Sequence, residues 1–175
     1  MTEQPDHVAA ILQAWHTERP DLDVSPVAIF GRITRIDRYQ AAAMRQVWRR
    51  HKIDSGEYDV LAALHRSGPD YQLTPTELYR SVLVTSATMT ERLDRLQRRK
   101  LIRRRPATRD RRSVLVELTP RGRTVIDHAI ADLLTIEADL LDGLSGQDRS
   151  TLAALLAKLA AILEQHHDTT APGSA

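Results

Sequence analysis

Residues 85–122 read TSATMTERLDRLQRRKLIRRRPATRDRRSVLVELTPRG, and this stretch decides the fold. Met89, Leu93 and Leu96 recur at i, i+4 and i+7, which predicts an amphipathic helix over 86–100 with Thr85 or Ser86 as its cap. Leu101–Arg105 and Ser113–Leu118 are β-compatible runs, the second alternating Val114, Val116 and Leu118 on one face. Pro106–Arg112 joins them as a polar turn, so the pair is a hairpin. Immediately upstream, Thr74-Pro75 with Glu77 forms a T-x-x-E capping box that opens a short helix over 75–81, and Val82–Val84 makes the turn. Two short helices joined by a tight turn, the second fronted by small polar residues, form the pattern of a helix-turn-helix.

Charge is segregated onto the same stretch. Residues 92–123 hold thirteen Lys or Arg and three acids, a local sum of +10 in a chain of net charge +2, so the rest sums to −8. A concentrated positive surface on an otherwise acidic protein is the footprint of a polyanion binder, and double-stranded DNA is the expected partner. Small hydroxyls at the front of helix 86–100 permit close approach to base edges, and Arg can take guanine bidentately. Ser86, Thr88, Thr90, Glu91 and Arg95 are therefore the candidates for the exposed reading face. The plain alternative is an ordinary surface helix and a solvated Arg-rich turn.

Outward from this core, Val8, Ile11, Leu12 and Trp15 mark an amphipathic helix over 5–19, with Trp15 as its expected anchor. Ser25-Pro26 opens a long helix to His51, whose apolar face is Phe30, Ile33, Ile36, Gln40, Met44, Val47 and Trp48. Asp54 or Ser55 caps a helix over 56–66, ended by Ser67-Gly68-Pro69. Thr119-Pro120 opens a helix over 120–142, and Ser145 starts a last one to about Gln165, followed by a disordered-looking tail over 166–175. The fold class is mainly α with a small β-hairpin, in a single domain over 1–175.

The chain has no cysteine, no apolar run near the roughly 20 residues that span a bilayer, and a polar N-terminus unlike a signal peptide. A cytoplasmic protein without membrane attachment is expected. No Gly-rich phosphate loop or G-x-S-x-G is present, so an enzyme is not expected. His51, His65, His128 and His166-His167 show no metal-ligand spacing, and no cofactor or metal is expected.

Asp110, Arg112, Val116, Leu118 and Thr119 meet the pattern D-x-R-x-x-x-V-x-L-T, followed by Pro120-Arg121-Gly122. This run resembles the wing signature of the MarR family of winged helix-turn-helix transcriptional regulators, and the likeness extends over nearly the whole chain. Further runs are similar to its urate-responsive, PecS-type branch: Trp15 on an added N-terminal helix, Pro20–Pro26, Gly31–Arg35, Glu57–Leu64 and Leu73–Arg80. Glu91 and Thr88 depart from that branch's usual Asn and Ala, on the helix that would face DNA.

The resemblance implies a homodimer formed by helices over 5–51 and 120–165, with 54–119 as the DNA-binding lobe. It implies that Arg112 enters the minor groove, oriented by Asp110, and that Arg109 and Arg111 meet phosphates. It implies a palindromic operator, repression as the default outcome, and release by a small effector. Trp15, Asp59 and Arg92 match the residues which that branch uses for urate, with Asp59 pairing Arg92 when no ligand is bound. The structural alternatives are a core tryptophan and a plain salt bridge. Two rival functions stand beside this one: a MarR-type regulator answering a phenolic compound, and an architectural DNA-binding protein with no effector.

Overall fold

The structure, a computed structural model, describes residues 6–82, 89–106 and 114–170. The elements run α1 (His7–Glu18), α2 (Ser25–His51), α3 (Ser55–Arg66), β1 (Gln72–Leu73), α4 (Pro75–Ser81), α5 (Met89–Arg98), β2 (Ile102–Pro106), β3 (Val114–Leu118), α6 (Pro120–Leu140) and α7 (Gly146–Thr170). The chain divides into two compact units, Met1–Ile136 and Glu137–Ala175.

In the first unit, the core gathers Val60, Leu61 and Leu64 of α3, Leu78 of α4, Leu93 and Leu96 of α5, and Leu101, Ile102, Val116 and Ile126. Each is at most 3% exposed. Met89, partly buried, packs against this cluster, so the i, i+4, i+7 stripe of α5 does face inward. Helices α3 and α4 both begin in full capping boxes, Asp54 with Glu57 and Thr74 with Glu77, where the cap's side-chain oxygen accepts the glutamate amide and the glutamate carboxylate accepts the cap's amide.

The exit from α5 explains how the wing is launched. Leu101 donates its amide to the Leu96 carbonyl at 3.0 Å and Lys100 to that of Gln97 at 2.9 Å. Lys100 takes a left-handed φ of 58°. This pair of bonds is a Schellman ending, and Leu96 and Leu101 supply its hydrophobic contact inside the core. The chain then turns directly into β2.

The hairpin is one part of a three-stranded antiparallel sheet in the order β1-β3-β2. Arg103 lies opposite Glu117, and Ile102 opposite Leu118. The added strand β1 pairs Gln72 with Glu117 and Leu73 with Val116. Its two residues are too few to display an alternation, so the sequence gives no strand signal there.

The N-terminal helices depart from expectation in a consistent way. On α1, Val8 is buried at 1% and Trp15 is 45% exposed, so Val8 is the anchor. Val8 lies against Gly31 of α2, where an added Cβ would come within 3.2 Å of its side chain. Asp6 caps α1 through the Ala9 amide and also takes Arg32 of α2 bidentately, at 2.7 and 3.1 Å. The Ala9 amide, then Arg32, hold the Asp6 carboxyl below its usual range. On α2, only Met44 and Val47 of the expected apolar face are buried, while Phe30 and Ile36 are exposed.

In the second unit, α7 continues to Thr170, past the Gln165 near which the helix is expected to end. Ser145 and Asp148 form its N-terminal bonds, with Ser145 Oγ donating to Asp148 at 2.6 Å and accepting the Asp148 amide at 3.1 Å. Leu152, Leu155, Leu156, Ile162 and Leu163 of α7 are all exposed in the single chain.

Candidate nucleic-acid interface and effector site

Thr90 and Glu91 sit exposed in the first turn of α5 as described, opposite the buried Leu93 and Leu96. Ser86, Thr88, Arg109, Asp110, Arg111 and Arg112 lie outside the described residues.

The positive charge is more committed than its count suggests. Arg95 donates from Nε to Glu57 at 3.2 Å and from Nη2 to Asp54 at 2.8 Å. Arg99 donates to Glu57 at 2.9 Å. Arg103 and Arg105 of β2 both pair with Glu117 of β3, at 2.5 and 2.6 Å. Arg104, on the opposite face, donates to Asp94 at 2.6 Å and Gln97 at 3.0 Å, tying the wing strand to α5. Arg123 stacks over the Tyr71 ring at 4.5 Å. Among the described residues, Arg98 and Arg121 make no ion pair. The +10 of residues 92–123 is therefore partly a structural lattice, and Arg95 in particular points into α3.

The part of that lattice held by Arg95 and Arg99 was not legible from charge density, since its acids, Asp54 and Glu57, lie at the start of α3, some forty residues upstream. A clue was available in Glu57, a carboxylate three residues after a cap and followed by the apolar run Val60–Leu64. Arg103 and the neighbouring Arg105 hold the Glu117 carboxyl below its ordinary range, the Arg103 hydrogen bond being the main cause.

Of the three residues implied for an effector, the structure brings two near each other. The Arg92 guanidinium lies on Gly56 in the first turn of α3, so close that a Cβ there would sit 2.0 Å from its Cζ. Asp59, one turn along the same helix face, makes no ion pair with it. The expected Asp59–Arg92 salt bridge is thus replaced by packing on Gly56, because the missing side chain leaves room for the flat guanidinium. Arg92 Nη1 is buried without a hydrogen-bond partner among the described residues. Burial raises the Asp59 carboxyl above its usual range, and the charges of Arg92 and Arg66 only partly oppose that. Trp15 is exposed on α1, with no described contact to either residue.

The histidines are engaged individually. His51 bonds Asp132 of α6 at 2.7 Å, and His65 bonds Asp127 at 2.7 Å. A hollow of about 580 Å³ lies beside Trp48, Lys52, Ile53 and Asp54, and none of Trp15, Asp59 or Arg92 lines it.

Comparison with known proteins agrees with this geometry. A MarR family model matches residues 51–113, which span α3 to the wing. The HTH-type transcriptional regulator PecS of Dickeya dadantii (strain 3937) is 35% identical over 152 residues, covering 87% of this chain and 92% of that protein. Among solved structures, one of Bordetella bronchiseptica BpsR, on regulation of its DNA binding by 6-hydroxynicotinic acid, is 26% identical with a TM-score of 0.66. It covers 75% of this chain and 92% of its own. A cysteine-to-serine mutant of MarR from E. coli, complexed with operator DNA, is 25% identical with a TM-score of 0.66. It covers 79% of this chain and 99% of its own. The relatives are transcriptional regulators and not enzymes.

Proposed function

This chain belongs to the MarR family of helix-turn-helix transcriptional regulators, and from that premise we propose that it is a homodimeric repressor which binds a palindromic DNA operator and is released by a small planar effector of the urate class. The observation that carries the DNA reading is the orientation of α5. Its apolar stripe is buried and Thr90 and Glu91 lead outward, beside a wing whose strands are pinned to the same helix through Arg104 and Asp94. The matching architecture in a MarR bound to operator DNA supports placing this helix in a major groove.

In this mechanism, Thr90 and Glu91, with Ser86 and Thr88 ahead of them, read base edges, while Arg98 and Arg121, which make no ion pair among the described residues, add phosphate attraction. Arg112 enters the adjacent minor groove, Asp110 orients it, and Arg109 and Arg111 meet phosphates. The exposed apolar residues of α7 supply the dimer contact.

The effector reading rests on Arg92. A buried guanidinium nitrogen without a partner carries an unsatisfied donor, and a planar acceptor-bearing heterocycle would satisfy it. Asp59, with its carboxyl easier to protonate than usual, stands within the same helical face to meet a ring N–H. Trp15 supplies a stacking face if binding draws α1 toward α3. Since Arg92 belongs to α5, a ligand that moves it also moves the reading helix, and linkage then lowers DNA affinity. A second reading keeps the regulator and gives it a heteroaromatic carboxylate, favoured by the likeness to BpsR.

Gel shifts on the chain's own upstream intergenic DNA test both layers. The expected outcome is a discrete complex, dissolved by urate, and for Arg112→Ala an operator affinity weaker by about 1–3 kcal/mol. Calorimetry with urate and with 6-hydroxynicotinic acid, on wild type, Trp15→Phe, Asp59→Ala and Arg92→Ala, separates the two effectors. Absence of saturable heat with either compound removes the effector reading and leaves the DNA reading standing.

A further inference from the structure

Arg92 and Arg95 of α5, and Arg99 just past its end, lie at i, i+3 and i+7 and all reach the first turn of α3. At the centre of their grip is Glu57, the one charged side chain among the described residues that is buried, at 4% exposed. Its carboxylate accepts from Arg95 Nε, from Arg99 Nη1 and from the Asp54 amide at 3.2 Å. Asp54 in turn accepts the Glu57 amide at 2.8 Å and Arg95 Nη2 at 2.8 Å. The capping box of α3 is thus also the clamp of α5, with each carboxylate serving both.

The two kinds of contact do different work. Leu93 and Leu96 press α5 onto the core, but apolar burial is non-directional and tolerates rotation and sliding of a helix. Charge-assisted bonds from two guanidinium groups to a buried carboxylate set angle and register, because the fork geometry is rigid. Separating these partners would leave a buried charge unpaired, which is strongly unfavourable.

We propose that Glu57, together with Asp54, is the positioning element of the reading helix, and that Arg95 belongs to this clamp and does not contact the operator. The inference rests on the DNA-binding reading above. Loss of the clamp leaves backbone attraction in place but misaims Thr90 and Glu91, so sequence discrimination falls while non-specific affinity persists.

The test uses full-length wild type, Glu57→Gln and Arg95→Gln, with titrations of an operator fragment and a random duplex of equal length over a salt series, and a melting curve for each. The expected result is operator affinity reduced by about tenfold in both variants, comparable to a mismatched base pair. Binding to the random duplex is retained, and the operator salt slope of Arg95→Gln equals that of wild type. A salt slope lower by about one in Arg95→Gln would make Arg95 a phosphate contact and overturn the proposal. So would an unchanged operator affinity in Glu57→Gln accompanied by a lower melting temperature, which is the mark of a merely structural pair. Should Glu57→Gln fail to fold, Arg95→Gln decides alone, since its side chain is 38% exposed and outside the core. A wild type that prefers no sequence would defeat the DNA reading itself and this inference with it, a failure visible before any variant is measured.

Discussion

At Gly122, the backbone of α6 approaches the Leu101 carbonyl so closely that a Cβ would sit 1.9 Å from that oxygen. The neighbouring Thr119 explains why neither side can yield. Its hydroxyl lies 2.7 Å from the Lys100 carbonyl oxygen and accepts the Gly122 amide at 3.0 Å, and its own amide donates to Leu101 at 3.0 Å. The Thr-Pro-Arg-Gly run is therefore a joint between the end of α5 and the start of α6. Gly122→Ala would gain helix propensity, but the clash is with backbone on both sides. A net loss of about 2 kcal/mol or more is expected in urea unfolding, where overpacking of a close contact is the dominant effect. The motif itself was legible in the sequence. The carbonyl against which the glycine packs belongs to a residue some twenty positions away and was not. The same holds for Arg92, which the sequence singled out but paired with Asp59, while the fold lays it on Gly56.

Among the elements, β3 is the organising strand, flanked by β1 and β2. Its Glu117 is 12% exposed at the side chain and holds Arg103 and Arg105 on one face of β2. Because these guanidinium groups depress the folded-state pKa below the ordinary 4.5, ionised Glu117 is stabilising above that value. The contribution disappears as the pH falls through the lower folded-state value. Glu117→Gln should thus lose about 1 kcal/mol at pH 7, the arginines being half exposed and screened. Melting curves at pH 7 and pH 3 check the sign, the gap between wild type and variant being narrower at the lower pH. The alternation that predicts β3 was plain from Val114, Val116 and Leu118. Strand β1 escaped prediction because two residues carry no period, and only the neighbouring β3 gives them partners.

At the scale of the whole molecule, the apolar residues left in the open point to self-association. Leu155 is 62% exposed on α7, with Leu156, Ile162 and Leu163 also exposed along the helix, and Phe30, Ile36 and Tyr39 are exposed on α2. Burying a leucine stabilises by roughly 1.5–3 kcal/mol, so a handful of such residues can hold a dimer of standard interface size. Light scattering should give about twice 19.7 kDa. Leu155→Arg should shift the mass toward the monomer and, on the proposed palindromic operator with its two half-sites, lower affinity by about 100-fold or more through lost avidity. A monomeric wild type, or a dimeric Leu155→Arg with unchanged binding, would sink this assignment of the interface.

Local chemistry was enough to place most of the architecture. Caps, first-turn prolines and periodicities of 3.6 and 2 are properties of adjacent residues, so the helix-turn-helix, the hairpin and helices such as α4 over 75–81 follow from the sequence alone. The wing and helix motifs, being contiguous, carried the family likeness as well. What only the tertiary structure decided is how charges and faces are used. Arg95 looks like a reading residue on a helical wheel, yet it turns to Asp54 and Glu57, some forty residues upstream. Trp15 looks like an anchor, yet Val8 fills that role against Gly31. In both cases the deciding partner is distant along the chain and near in space, and a one-dimensional pattern holds no information about which of two adjacent faces that partner will meet.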